Sequence, residues 1–140
     1  MKHVVSVSLG STERDFREEV EFLGERVLVE RLGTDGDLTK FAQMMSELDG
    51  KVDALGIGGT DLYLYAGTRR YVFRDIARAV SGVKTTPIVD GSGLKNSIER
   101  ATVRYLQEEG LVDFARSNTL LVCTVDRFGL AEELTALGGP

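Results

Sequence analysis

In 140 residues there is no tryptophan, one histidine, one cysteine and two prolines. Cys123 alone leaves no partner for an internal disulfide and no thiolate cluster for a metal, and it fits a reducing, cytoplasmic setting. His3 alone argues against a histidine-built zinc site or an internal Ser-His-Asp triad, unless His3 itself serves, and no metal is expected. Apolar runs stay far below the roughly 18 residues that a membrane span needs. Met1 to Val7 interleaves polar residues with valines, which reads as a strand and not as a secretory leader. Seventeen basic residues face 22 acidic ones, a net charge of −5. Such a surface has no general attraction for phosphate backbones, so nucleic acid is not an expected partner. With 42% hydrophobic and 28% charged residues, the composition is that of a folded globular chain. The length suits one α/β domain over residues 1–140, with a soft boundary near 116–118.

Glycine, in contrast, is abundant, with 16 residues, and its placement organises the reading. Val4 to Leu9 alternates and predicts a strand. Phe16, Val20, Phe22, Val27 and Val29 predict an antiparallel ribbon over 16–32. A turn at Gly24-Glu25 would pair Phe22 with Val27 and Val20 with Val29, and oppose Glu19 to Glu30 on the other face. Leu38, Phe41, Ala42, Met45 and Leu48 recur at helical spacing. Strands are expected again over 52–57 and 87–90. A short hairpin is expected around Ala66-Gly67-Thr68, and a helix over 75–80. Leu94, Ile98, Ala101 and Tyr105 form one stripe of a long helix ending at Gly110. Residues 119–125 read as the most hydrophobic strand, with Cys123 packed inside it, and Leu130, Leu134 and Leu137 as the buried face of a last helix. The alternation predicts a layered, Rossmann-like α/β fold with a mainly parallel sheet and one antiparallel hairpin.

Four of these strands run into similar segments: Gly10-Ser11-Thr12, Gly58-Gly59-Thr60-Asp61, Asp90-Gly91-Ser92-Gly93 and Asp126-Arg127-Phe128-Gly129. Ligands of parallel sheets sit at such strand ends, and helix starts favour anions. Thr60, Asp61, Asp90, Ser92, Lys95 and Asp126 are therefore expected to line one cleft, with Asn96 beside them. Lys95 falls in the first turn of its helix, against the helix dipole, so it calls for a carboxylate or an anionic ligand nearby. Arg69 and Arg70 head the one basic cluster and could hold a substrate carboxylate, or form a solvated edge. The turn after residue 125 is similar to the opening of a dinucleotide-binding unit, with Asp126 and Phe128 in place of the first two glycines. If it binds NAD or NADP, then Asp126, Arg127 and Gly129 are the contacting residues.

Long stretches carry a family resemblance: Val4-Val5-Ser6-Val7-Ser8-Leu9-Gly10-Ser11, Arg31-Leu32-Gly33-Thr34-Asp35-Gly36-Asp37-Leu38, Asp61-Leu62-Tyr63-Leu64-Tyr65, Pro87-Ile88-Val89-Asp90-Gly91-Ser92-Gly93-Leu94-Lys95-Asn96 and Val125-Asp126-Arg127-Phe128-Gly129. Together they resemble the bacterial quinate 5-dehydrogenase family. The resemblance implies NAD(P)-linked oxidation of a cyclic hydroxy acid and a longer parent protein, of which this chain would be the N-terminal portion. It also implies a lysine–aspartate pair, for which Lys95 and Asp90 are the analogues here. The Val-Thr-x-Pro-x-Lys motif and glycine-rich cofactor loop of the better-known quinate and shikimate dehydrogenases are not intact.

Two functions fit. In one, Lys95 is the general base of an oxidoreductase domain, incomplete alone, with Asp90 or Asp126 orienting it. In the other, a non-catalytic domain binds a small anionic molecule, or serves as an assembly module, at the same strand ends. A homo-oligomer is compatible with both.

Overall fold

Alternation in Val4-Val5-Ser6-Val7-Ser8 puts Val5 and Val7 on one face of strand β1 (Lys2–Ser8), where both are completely buried. The computed structural model describes residues 1–122 and 124–139. They fall into two compact units, the first Met1–Leu62 with Phe73–Gly91, the second Tyr63–Val72 with the chain from Ser92 onward.

In the first unit, β1 lies at the centre of a five-stranded sheet. The other strands are β2 (Phe16–Phe22), β3 (Glu25–Gly33), β4 (Ala54–Gly58) and, after the second unit's hairpin strands β5 (Tyr63–Ala66) and β6 (Arg69–Val72), β7 (Ile88–Val89). The order is β2-β3-β1-β4-β7. β3, β1, β4 and β7 run parallel, and β2 is the antiparallel edge. The chain is thus α/β with a mainly parallel sheet and an antiparallel hairpin. Helix α1 (Leu38–Leu48) is capped by Asp37, whose carboxylate accepts from the N–H groups of Thr39 and Lys40. It contributes Phe41 and Met45, and helix α2 (Arg74–Ala79) contributes Ile76. These close over Val5, Val7, Leu55 and Ile57 in one apolar core.

Two expectations are corrected. The hairpin turns at Leu23 (φ 52°) and Gly24 (φ 80°), not at Gly24-Glu25. Phe22 therefore pairs with Glu25, Val20 with Val27 and Glu18 with Val29. Two left-handed residues make a type I′ turn, whose twist matches that of the strands. The register also places Glu30 opposite Arg17 and Glu21 opposite Arg26, and so removes the expected Glu19–Glu30 clash. The second correction is the strand at 119–125. No strand forms among its described residues, and Leu120, Val122 and Val125 are 88%, 67% and 72% exposed. A strand needs a neighbour for its backbone groups, and no strand pairs with the described residues of this segment. Cys123 lies outside the described residues.

A leucine at φ 52°, exposed at the hairpin tip, holds the left-handed conformation against its Cβ. Leu23→Asn is expected to stabilise the chain by about 0.5–1 kcal/mol, because asparagine tolerates that conformation. Chemical denaturation of both proteins reads this as a shifted midpoint with an unchanged slope.

Asp49 follows α1 and accepts from the backbone N–H groups of Lys84, Thr85 and Thr86 at 2.7, 3.0 and 2.7 Å. Chiefly the Lys84 N–H, then that of Thr86, holds its carboxyl at about 2, below the ordinary 3.8. The folded chain therefore binds this proton less readily than the unfolded chain. Its stabilisation is complete above pH 3.8 and is lost as the pH falls through about 2. Urea unfolding at a series of pH values is expected to show Asp49→Asn less stable than the parent above pH 4, roughly, with the gap closing toward pH 2.

Candidate functional site

The second unit brings together the largest share of the candidate residues. Its hairpin, β5 and β6, turns at Gly67-Thr68 and pairs Tyr63 with Val72 and Tyr65 with Arg70. Tyr63 and Tyr65 pack edge to face, 5.6 Å between ring centres. The Arg70 guanidinium lies 5.0 Å over the Tyr63 ring and that of Arg69 lies 4.9 Å over Tyr71. Both arginines are exposed.

Helix α3 (Ser92–Glu108) starts against this hairpin, where the Ser92 hydroxyl donates to the Tyr63 carbonyl at 2.8 Å. It faces helix α4 (Phe128–Ala136) and the preceding turn through charged side chains. Arg104 Nε and Nη2 donate to the two oxygens of Glu133 at 3.0 and 2.9 Å. Arg100 pairs with Glu132, and Arg127 with Glu99. Lys95 Nζ donates to Asp126 Oδ2 at 3.1 Å, with both side chains about one-third exposed or less. The carboxylate offsets the lysine's unfavourable place in the first turn. Gly129 is buried between the helices. A Cβ there would stand 2.6 Å from Asn96 Oδ1 and from Arg100 Nε.

At the start of α4 these elements enclose a small notch lined by Tyr63, Tyr65, Ser92, Lys95, Asp126 and Phe128, with Asn96, Arg127 and Gly129 also on its wall. Its interior volume is about 10 Å³, room for about one water. It admits a single hydroxyl or one oxygen of a carboxylate, not a whole ring. No side chain caps α4 at Arg127, so the helix presents its positive end here.

Of the candidate residues, Ser92, Lys95, Asn96, Asp126, Arg127 and Gly129 share this notch. Arg70 touches its Tyr63 wall, and Arg69 stacks on Tyr71 further along the same strand. Thr60, Asp61 and Asp90 belong to the first unit, at the ends of β4 and β7. There the Asp90 carboxylate accepts from the Leu62 N–H at 2.7 Å. The sequence reading missed the aromatic wall of Tyr63 and Tyr65 and the ion pairs of Glu99, Arg100 and Arg104. The opposed blocks Glu99-Arg100 and Glu132-Glu133 were the available signal. His3 Nε2 lies 3.1 Å from Glu30. No group of three or more metal-ligating side chains gathers among the described residues, and no helix there is long and apolar enough to cross a membrane.

The fold and the notch define an α/β chain that carries a charged two-helix unit with a small polar site. Residues 3–90 match the family described as Domain of unknown function (DUF8753), and the chain belongs to that family. Residues 93–140 match a second one, Domain of unknown function (DUF8754). The seam between the two matches falls where the chain leaves β7 for α3. No curated protein matches the sequence.

Gly129→Ala tests what that glycine does. Overpacking costs more than the helix propensity gained, so a net loss of about 1 kcal/mol is expected. Thermal unfolding should show a lowered midpoint for the variant.

Proposed function

We propose that the second unit binds one anionic or hydroxyl end of a small hydroxy acid at Lys95, and that this is the acid-binding part of a quinate- or shikimate-type oxidoreductase. The observation that carries the reading is the half-buried Lys95–Asp126 pair at 3.1 Å, placed in a polar notch at the positive end of α4. An ammonium carries three N–H donors, one of them directed here at Asp126, and is the group that a ligand carboxylate or hydroxyl oxygen accepts from. In its neutral form the same lysine would accept a proton from a substrate hydroxyl, and Asp126 would stabilise the ammonium that results.

Oxidation needs a hydride acceptor, which NAD or NADP supplies in the family resembled. The turn residues do not fit a dinucleotide. Asp126 is engaged by Lys95, Arg127 by Glu99, and the space beside Gly129 is taken by Asn96 and Arg100. The same placements favour the second reading, in which this chain binds a small anion without turning it over.

Support for a Rossmann-like reading of the first unit comes from the strand order. The chain after β1 goes to one side of it, to β2 and β3, and in the sheet the strand that follows β4 lies on the other side, β7. Ligands of open parallel sheets bind at such divergence points, and Thr60 and Asp61 follow β4 there. A cytoplasmic setting is proposed on the single Cys123.

Calorimetric titration with quinate and shikimate, against a neutral cyclic polyol, tests the acid-binding reading. Binding of the acids alone is expected, weakened about tenfold or more in Lys95→Met, as for loss of one charged hydrogen bond. NAD(P)⁺ reduction with either acid is expected at background. Equal binding of the neutral polyol, or an unchanged affinity in Lys95→Met, refutes the site. Robust turnover that Lys95→Ala abolishes would show that a complete cofactor site exists in this chain.

A further inference from the structure

Helix α3 is amphipathic in the inverse sense. The face it turns toward α4 carries Lys95, Glu99, Arg100 and Arg104, each in an ion pair. The stripe it leaves to solvent carries Leu94, Ile98 and Tyr105, which are 58%, 57% and 56% exposed, with Ala101 exposed between them. Solvent-facing helix surfaces are ordinarily polar and core-facing ones apolar. An apolar seam kept outside while charges are kept inside calls for something to cover it.

The seam itself says what covers it. Its residues are spaced four, three and four apart, the alternation of a two-helix seam. Leu94 and Ala101 take one of the two core positions, and Ile98 and Tyr105 the other. A β-branched residue at the second position with leucine at the first favours two parallel strands. We infer that α3 pairs in parallel with α3 of a second copy of this chain along Leu94, Ile98, Ala101 and Tyr105.

Charge supports that occupant and that direction. In a parallel pair, a residue flanking the seam meets the one five positions later on the other helix. Arg104 then faces Glu109 of the second copy, and Ser97 faces Thr102 of the second copy. The Arg104 side chain is 54% exposed while its Nε and Nη2 hold Glu133, so its guanidinium presents positive charge to solvent without leaving that contact. Each apolar layer is self-matching under a two-fold axis, as an isologous interface requires. Ile98 meets its own copy, and Ala101 leaves room for the axes to approach. An antiparallel pair would set Leu94 against Tyr105 and leave Glu109 without a basic partner. The inference does not depend on the acid-binding reading.

Sedimentation equilibrium of the chain tests it. The parent should be a dimer in reversible equilibrium with monomer. Ile98→Asp should be monomeric with an unchanged far-ultraviolet circular dichroism spectrum. Should that variant lose its helix content, Tyr105→Ala replaces it, with the same expectation. Glu109→Lys, which opposes two cations, should raise the dissociation constant by about tenfold. In a Cys123→Ser background, Ala101→Cys should oxidise to a covalent dimer, because the parallel register sets the two copies of that position face to face. A monomeric parent at every concentration, or a dimer indifferent to Ile98→Asp and Glu109→Lys, overturns the pairing. It would mean that this face is covered by a different protein or by none. A dimer that Ile98→Asp dissolves but Ala101→Cys does not cross-link overturns the parallel register.

Discussion

Glu133 is buried with its charge, and the second unit is arranged around keeping that charge paired. Arg104 meets both of its oxygens in a two-pronged contact. Such a pair is weak as a source of stability but costly to break, since removing the arginine leaves a buried anion with Arg100, 3.9 Å away, in place of a two-pronged partner. The fork also fixes the register of α3 against α4. Once Arg104 is at Glu133, Arg100 falls at Glu132, and Glu99 and Lys95 fall beside the turn that carries Arg127 and Asp126. The nine steps from residue 95 to residue 104 span about 13.5 Å of helix. The position of Lys95 in the notch is therefore set largely by a contact more than two turns away.

The sheet was legible because its evidence is local. Val5 and Val7 alternate with serines, α1 repeats its apolar residues at helical spacing, and Asp37 stands where a cap is needed. The hairpin register was not legible. A shift of two residues leaves every side chain on the same face of its strand, so Val20 opposite Val29 and Val20 opposite Val27 look alike in the pattern. What separates them is whether a leucine adopts a left-handed turn, and propensity argues against that outcome. Residues 119–125 failed for another reason. Their β-branched and apolar content describes a surface that suits a sheet, but says nothing of whether a neighbouring strand is there.

At the site, physical need was easier to read than identity. The helix dipole showed that Lys95 wants a negative partner, and Asp126 is one. Gly129 was read as a cofactor contact and is used as room for Asn96 and Arg100. A glycine reports a close approach, not what approaches. Tyr63 and Tyr65 entered only through the fold, because the hairpin that carries them is some 30 residues before α3 in the chain and its contact with Ser92 leaves no local trace.

The outer strands of the five-stranded sheet bear on how its backbone meets other molecules. A parallel sheet ends in unpaired backbone groups on both sides, each a template for strand addition by another molecule. Here one border is β2, exposed along its whole length and built as Phe-Arg-Glu-Glu-Val-Glu-Phe. An incoming strand would have to lie alongside that dense charge. The opposite border, β7, is two residues long, too short to seed a ladder. Acidic gatekeepers on one rim and brevity on the other guard this five-stranded sheet against strand addition, and so leave its own growth into larger assemblies to surfaces made of side chains, not backbone.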